Sequence, residues 1–113
     1  MIEIEEFITN QDVSPFRRWF DTLDDLAAAW VTIAIDRLGE GNTSNAKPLG
    51  EGVSELRINR GPGYRIYFGW HNKVLVILLG GGTKKRQQSD IQTALLHWRS
   101  YKMRKVANRG KKS

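Results

Sequence analysis

The chain has 113 residues, 40% hydrophobic and 27% charged, which is enough for one folded domain and too few for two. It has no cysteine, which excludes disulfides and thiolate metal sites. Its net charge is +6, but residues 1–40 are acidic and residues 41–113 are basic, which favours a polyanionic partner for the second part of the chain.

The start of the chain predicts a strand and then a helix. Ile2 and Ile4 alternate with acidic residues, which is typical of a strand over 1–8 and unlike the basic start of a secretory signal. Ser14 followed by Pro15 is typical of a helix start. The longest apolar run is far shorter than the ~20 residues of a membrane span. We therefore expect a cytoplasmic protein with no membrane partner.

A second helix completes a helical hairpin. It starts at Asp24 or Asp25 and extends as far as Leu38, where Gly39 and Gly41 stop it. Helical spacing predicts an inner stripe of Leu26, Trp30, Ile33 and Ala34. A polar loop over 42–52 then leads back into the sheet.

Three antiparallel strands and a helix follow. The stretch ELRINRGPGYRIYF, residues 55–68, predicts a hairpin with a Gly-Pro-Gly turn. The apolar run 74–79 predicts a central strand. After three glycines and a basic loop over 83–88, a capping box at Ser89 starts the last helix.

These elements predict an α+β fold in the order βααβββα. A small antiparallel sheet carries an N-terminal helical hairpin and a C-terminal helix, with the helices on one face and the other face partly open. Residues 1–101 form a single domain. Residues 102–113 contain six bases and no acid, which predicts a flexible basic tail.

The predicted hairpin gathers charged groups on the open face. Glu55 and Arg57 on one strand share it with Arg65 and Tyr67 on the next. Two guanidiniums on neighbouring strands can bind one phosphate together. The alternative for Glu55 and Arg57 is a solvent-facing pair, but Arg65 lies within an inner strand, where an unpaired charge is costly.

The basic loop lies beside this face. Lys84, Lys85 and Arg86 have no Walker-loop spacing, and a solvated loop is the alternative interpretation. Asp90 either accepts a proton or stabilises the first turn of the last helix through the helix dipole. The two histidines have no metal-ligand spacing, so neither a metal nor another cofactor is expected.

Several separated motifs together resemble one protein family. NAKPLGEGVSELRINRGPGYRIYF and LLGGGTKKRQQSDIQTA, preceded by PFRRWFDTL and RLGEGN, closely resemble the RelE/ParE toxin superfamily, in particular the HigB-like addiction-module killer proteins. The resemblance covers about residues 1–99. It implies a fold like that of microbial ribonucleases, and a type II toxin that cleaves mRNA on the ribosome without a metal. The 2′-hydroxyl attacks the adjacent phosphate, which requires a base, cations and an acid.

The resemblance also implies roles and partners. Carried over by position, the catalytic residues are Arg65 on the scissile phosphate, Glu55 as the preferred base, Arg57 and Lys84. The substrate-binding residues are Tyr67, Lys85, Gln87 and Asp90. The general acid is unassigned, because 96–101 does not align with the histidine or tyrosine near the carboxyl end of several related toxins. The implied partners are mRNA, the ribosome and a cognate antitoxin of helix-turn-helix type.

Two other functions share this fold. A ParE-like protein inhibits DNA gyrase and catalyses nothing, and an inactive toxin would bind nucleic acid as a co-repressor beside its antitoxin. The clustered charges favour the nuclease, because a gyrase inhibitor needs no phosphate site.

Overall fold

Five strands form one sheet with helices on both faces. The computed structural model describes residues 1–110. The strands are β1 Glu3–Glu6, β2 Ala46–Gly50, β3 Val53–Ile58, β4 Tyr64–Asn72 and β5 Leu75–Thr83. The helices are α1 Pro15–Phe20, α2 Asp25–Gly39 and α3 Gln87–Gly110, with a 3-10 turn at Lys84–Arg86. The strand order is β1-β5-β4-β3-β2, in which β1 is parallel to β5 and the other pairs are antiparallel. The predicted α+β class is confirmed.

Strand β2 lies within the segment that we predicted as a polar loop. It pairs with β3 at the edge of the sheet, starting with Ala46 opposite Leu56. Pro48 suits an edge strand, because proline has no N–H for a second neighbour. The register shifts between Pro48 and Gly50, which marks an irregularity. The loop prediction is therefore wrong for Ala46–Gly50, which carry no alternating pattern.

The first core lies between the sheet and helices α1 and α2. Phe16 of α1 and Val31 of α2 pack there against Leu56, Ile66 and Phe68 from the strands. The N–H of Arg17 donates to Ser14 Oγ at 3.0 Å, and Pro15 opens α1, as the Ser-Pro pair predicted. This cap fixes where α1 begins and thereby directs Phe16 into the core.

Helix α2 turns a different stripe toward the sheet from the one we predicted. Its fully buried residues are Ala27, Val31 and Leu38. Trp30 and Ala34 also pack against the first core, but Leu26 is 60% exposed and Ile33 48% exposed. The prediction is therefore wrong for these two residues. Ten of the fifteen residues of α2 are apolar, so spacing alone allows two neighbouring stripes.

Helix α3 covers the face of the sheet that we expected to be open. The second core is formed by Phe7, Tyr67, Leu79, Ala94 and Trp98, with Val53 and Ile77. Gly69 of β4 is needed here, because a Cβ at that position would collide with the Trp98 ring. The expectation of an open face is wrong, and the charged residues of the hairpin lie beneath a helix.

Helix α3 begins earlier and extends further than predicted. It starts at Gln87, two residues before Ser89, and continues through Gly110. Residues 102–110, predicted as part of a flexible tail, are thus helical, and 111–113 lie outside the described residues. Arg104 Nη1 donates to the Ile8 carbonyl at 2.7 Å, which holds this end of the helix against the body of the protein. Within residues 1–110, no helix has the length and apolar character required to span a membrane.

Candidate active site

Strands β3 and β4 place four polar side chains under α3. Glu55 lies opposite Tyr67 and Arg57 opposite Arg65 in the strand register, so all four share one face. Glu55 is 0% exposed, Tyr67 1% and Arg65 6%. The hairpin alternation predicted this shared face correctly, and burial of the charges distinguishes it from a solvated sheet surface.

The carboxylate of Glu55 accepts hydrogen bonds at both oxygens. Arg57 Nε donates to Oε1 at 2.8 Å, and Gln87 Nε2 donates to Oε2 at 2.8 Å. Gln87 is the first residue of α3, so this carboxylate joins β3 to the start of the helix. Glu55, Arg57, Arg65 and Gln87 are called the polar cluster below.

Arg65 has unused hydrogen-bonding capacity in a buried position. Its Nε lies 3.8 Å from Glu55 Oε2, which is within ion-pair range but longer than a hydrogen bond. Its Nε and Nη1 are buried and have no hydrogen-bond partner among the described residues. A buried cation with unfilled donors is costly. The pair with Glu55 therefore leaves two donors of the guanidinium unfilled.

Tyr67 and Asp90 lie next to the polar cluster. Together with Gly80 and Thr93 they help to line a cavity of about 90 Å³ between β5 and α3. The Tyr67 hydroxyl is buried without a hydrogen-bond partner in the described part of the chain. Burial raises its pKa, and the negative charges of Glu55 and Asp90 raise it further. Tyr67 is therefore a neutral donor at physiological pH.

A glycine in β5 lets Asp90 approach the sheet. Gly82 lies opposite Arg65 in the register, and a Cβ at Gly82 would collide with the Asp90 carboxylate. Burial raises the pKa of Asp90 above its ordinary value, although the nearby charge of Arg86 opposes the shift. The three glycines that precede the basic loop thus lie within β5.

Lys84 and Lys85 stand apart from the polar cluster. Both are exposed on the 3-10 turn that follows β5, and the Lys84 N–H donates to the Gly63 carbonyl at 2.9 Å beside the hairpin turn. Across residues 1–110 neither forms an ion pair. The structure thus brings Glu55, Arg57 and Gln87 into direct contact, while the two lysines lie at the surface.

Sequence reasoning missed the link between Gln87 and Glu55. Gln87 was predicted as a substrate contact, and no local pattern indicated that its amide would reach a strand 32 positions earlier. In the part of the chain that the structure describes, no three acidic or histidine side chains are grouped to hold a metal ion.

Two comparisons with known proteins bear on this site. A family model described as "Phage derived protein Gp49-like (DUF891)" matches residues 18–99. An "Uncharacterized protein" of Haemophilus influenzae (strain ATCC 51907 / DSM 11121 / KW20 / Rd) is 45% identical over 82 residues, which are 72% of this chain and 83% of that protein. The range matched by the family model contains the whole polar cluster with Tyr67 and Asp90, and it ends inside α3.

Proposed function

Since the chain belongs to the phage-derived Gp49-like (DUF891) family, a toxin-like family of the RelE type, we propose that it is the toxin of a type II toxin–antitoxin module. We further propose that it is a metal-independent endoribonuclease that cleaves mRNA on the ribosome, in the cytoplasm, and that a helix-turn-helix antitoxin neutralises it. The HigB-like motifs around the β3–β4 hairpin support this branch of the superfamily.

One observation supports a phosphate-cleaving site above the others: Arg65 is buried with two unpartnered donors. The transition state of RNA cleavage places extra negative charge on the non-bridging phosphate oxygens. Fixed donors aimed at such charge in a site with little water accelerate a reaction by about 10²–10³-fold each. Arg57, whose side chain is 38% exposed, can bring a second guanidinium to the same phosphate.

The reaction has three chemical requirements. The 2′-hydroxyl loses its proton, its oxygen forms a bond to phosphorus, and the bond from phosphorus to the 5′-oxygen breaks. The departing oxygen takes up a proton, which leaves a 2′,3′-cyclic phosphate and a 5′-hydroxyl end. The protein must therefore supply a proton acceptor, cations for the phosphate and a proton donor.

The two carboxyl groups suit different parts of this reaction. Glu55 was our preferred base, but both of its oxygens already accept hydrogen bonds, so we assign it to positioning Arg57 and Gln87. Asp90 is partly exposed, and burial raises the pKa of its carboxyl group, which makes the carboxylate a stronger base. Asp90 is therefore our candidate for proton transfer, with Lys84 and Lys85 adding positive charge near the RNA.

Induced expression tests the proposal. We expect growth arrest and cuts within translated messages, with 5′-hydroxyl ends that primer extension locates. Arg65→Met should abolish both effects, whereas Arg18→Met, which removes an exposed charge from α1, should retain them.

Two outcomes would overturn the nuclease. Growth arrest with intact messages and DNA-damage signalling would instead indicate a gyrase inhibitor. The absence of any arrest from a well-expressed, folded protein would exclude both toxic activities and leave the co-repressor.

A further inference from the structure

The inner stripe of α3 changes from apolar to basic along the helix. Trp98 and Tyr101 stack on each other, with ring centroids 5.2 Å apart and an interplanar angle of 7°. Lys102 and Lys105 follow them by one helical turn. Their Nζ atoms lie 5.8 Å from the Trp98 ring and 5.4 Å from the Tyr101 ring, respectively. Ammonium groups thus continue the stripe that packs on the sheet.

Neither of these two lysines forms an ion pair in the described part of the chain. Both are exposed, and no carboxylate of residues 1–110 lies within ion-pair distance of either. Contact with an aromatic ring face holds an ammonium group in place and leaves its N–H donors free for an anion. Both ammonium groups are therefore held against aromatic rings and outside any ion pair, and the carboxylate charge that acts on Lys102 is that of Glu51, which is paired with Arg99.

The position of this segment separates it from the polar cluster. We call residues 102–110 the basic arm. Along α3, Lys105 lies about 27 Å from Gln87, at 1.5 Å per residue. The family match ends at residue 99, so the arm is an addition to the matched region. Arg104 fastens it by donating to the Ile8 carbonyl, and its guanidinium lies 4.8 Å from the Phe7 ring centroid.

We propose that the basic arm is a second RNA-binding surface, which holds the phosphodiester backbone of the substrate away from the point of cleavage. Lysine binds phosphate as a point charge and without sequence preference, which suits a holding site. The sequence from 102 to 113 has six bases and no acid, so its charge complements a polyanion. The choice of RNA as the polyanion rests on the proposed function.

An anionic membrane surface is the competing partner, and the experiment must test it. The outer side of α3 exposes Leu96, Met103 and Val106, at 62%, 73% and 67%. A helix that is basic on one side and apolar on the other also suits a lipid surface. RNA is favoured because helical spacing puts the lysines on the same side of α3 as Gln87 of the polar cluster.

Binding of an uncleavable RNA measures the arm directly. The probe is a short fluorescein-labelled 2′-O-methyl RNA, which lacks the attacking hydroxyl, and anisotropy gives the Kd of the full-length protein at several salt concentrations. For a single strand, each phosphate contact contributes about 0.7 to the slope of log K against log salt. In Lys102→Gln/Lys105→Gln the slope should fall by about 1.4.

Matched variants decide whether position or total charge matters. Arg18→Gln/Arg37→Gln removes the same charge from exposed sites on α1 and α2, which cover the other face of the sheet, and it should keep the wild-type slope. Lys102→Arg/Lys105→Arg should also keep it. An equal loss of slope in Arg18→Gln/Arg37→Gln would overturn the proposal, as would an unchanged slope in Lys102→Gln/Lys105→Gln.

Two further measurements distinguish RNA from a membrane as the partner of the basic arm, and RNA binding from RNA cleavage. If the arm variant lost binding to phosphatidylserine vesicles but bound RNA normally, a membrane would be the partner and the proposal would fall. Suppose instead that the wild type cleaved no RNA in any assay, and that Lys102→Gln/Lys105→Gln bound RNA more weakly than the wild type. The proposed nuclease activity would then fail, and the RNA-binding role of the basic arm would stand.

Discussion

The two faces of the sheet are built from the same strands but have different compositions. Ile66 and Arg65 are neighbours on β4, at 0% and 6% exposure, and they point to opposite faces. Ile66 enters a core of apolar side chains under α1 and α2. Arg65 enters a face under α3 where Glu55 is also buried.

The two faces therefore differ in what they contribute to stability and to chemistry. Apolar burial contributes about 25 cal/mol per Å² and needs no partner groups. Buried ions lose hydration, and their mutual attraction often fails to offset that loss. The first core is therefore stabilised by apolar burial alone, whereas the α3 face combines the second core with a polar cluster in which two donors of Arg65 have no partner among the described residues.

Removing the buried carboxylate should have the largest effect. Glu55→Ala leaves Arg65 buried without a counter-charge and removes the acceptor of Arg57 and Gln87, so the free energy of unfolding should fall by about 3–5 kcal/mol. Urea denaturation measures this. Glu51→Ala breaks an exposed pair with Arg99 and should leave the midpoint unchanged. Equal midpoints for both variants would contradict the difference between the faces.

Substitutions on the two sides of β4 should have opposite consequences. Arg65→Met should keep or raise the free energy of unfolding, because an apolar side chain replaces an unsatisfied ion, while RNA cleavage falls by about 10²–10³-fold. Ile66→Ala should lower the free energy of unfolding by about 2–5 kcal/mol and leave cleavage per folded molecule unchanged. Urea denaturation and a cleavage assay on both proteins measure the contrast. Loss of stability in Arg65→Met would show that the cation is structural.

Two adjacent glycines of β5 offer a finer comparison. A Cβ at Gly81 would collide with the Trp19 ring on the first-core side, and a Cβ at Gly82 with the Asp90 carboxylate. The ring is packed, so Gly81→Ala should lower the free energy of unfolding by about 1–3 kcal/mol. The carboxylate can rotate away, so Gly82→Ala should cost less stability and reduce cleavage instead. The reverse ranking in the same two assays would be inconsistent with the assigned faces.

The smallest expected effect is a pH dependence of the free energy of unfolding, caused by Asp90 on the α3 face of the sheet. Because burial raises the pKa of Asp90, the folded protein holds this proton to a higher pH than the unfolded chain. The unfolding free energy of the wild type, relative to Asp90→Asn, should therefore fall as pH rises from about 3.9, the ordinary value, through the folded-state pKa. Below both values the difference should be constant. Urea denaturation from pH 3 to pH 7 measures this, and a pH-independent difference would contradict it.

Much of the fold could be predicted from local sequence patterns. The Ser14-Pro15 start of α1 and the alternation in β3 and β4 are set by neighbouring residues, so the sequence showed them. Strand β2 was missed because Lys47, Pro48 and Gly50 have no period of two. The stripe of α2 was misplaced because its apolar residues extend around most of the helix, and only contact with the sheet selects Val31 over Ile33.

The sequence predicted which residues form the candidate site but not how they are arranged. Alternation along two strands placed Glu55, Arg57 and Arg65 together. It could not show that α3 covers them. The helix could pack on either face of the sheet, and long-range packing decides between the two faces. The hydrogen bond from Gln87 to Glu55, and with it the positioning role of that carboxylate, depends on the same choice.

The parallel pairing of β1 with β5 has a consequence for synthesis. Glu3 lies opposite Leu75, so the amino-terminal strand has no partner in the sheet until β5 has left the translating ribosome. Closing so long a loop is slow compared with forming the local hairpins. Until then Ile2 and Ile4 are available to chaperones, and the edge of the sheet stays incomplete. A nascent chain can therefore complete this sheet only after β5 has been synthesised.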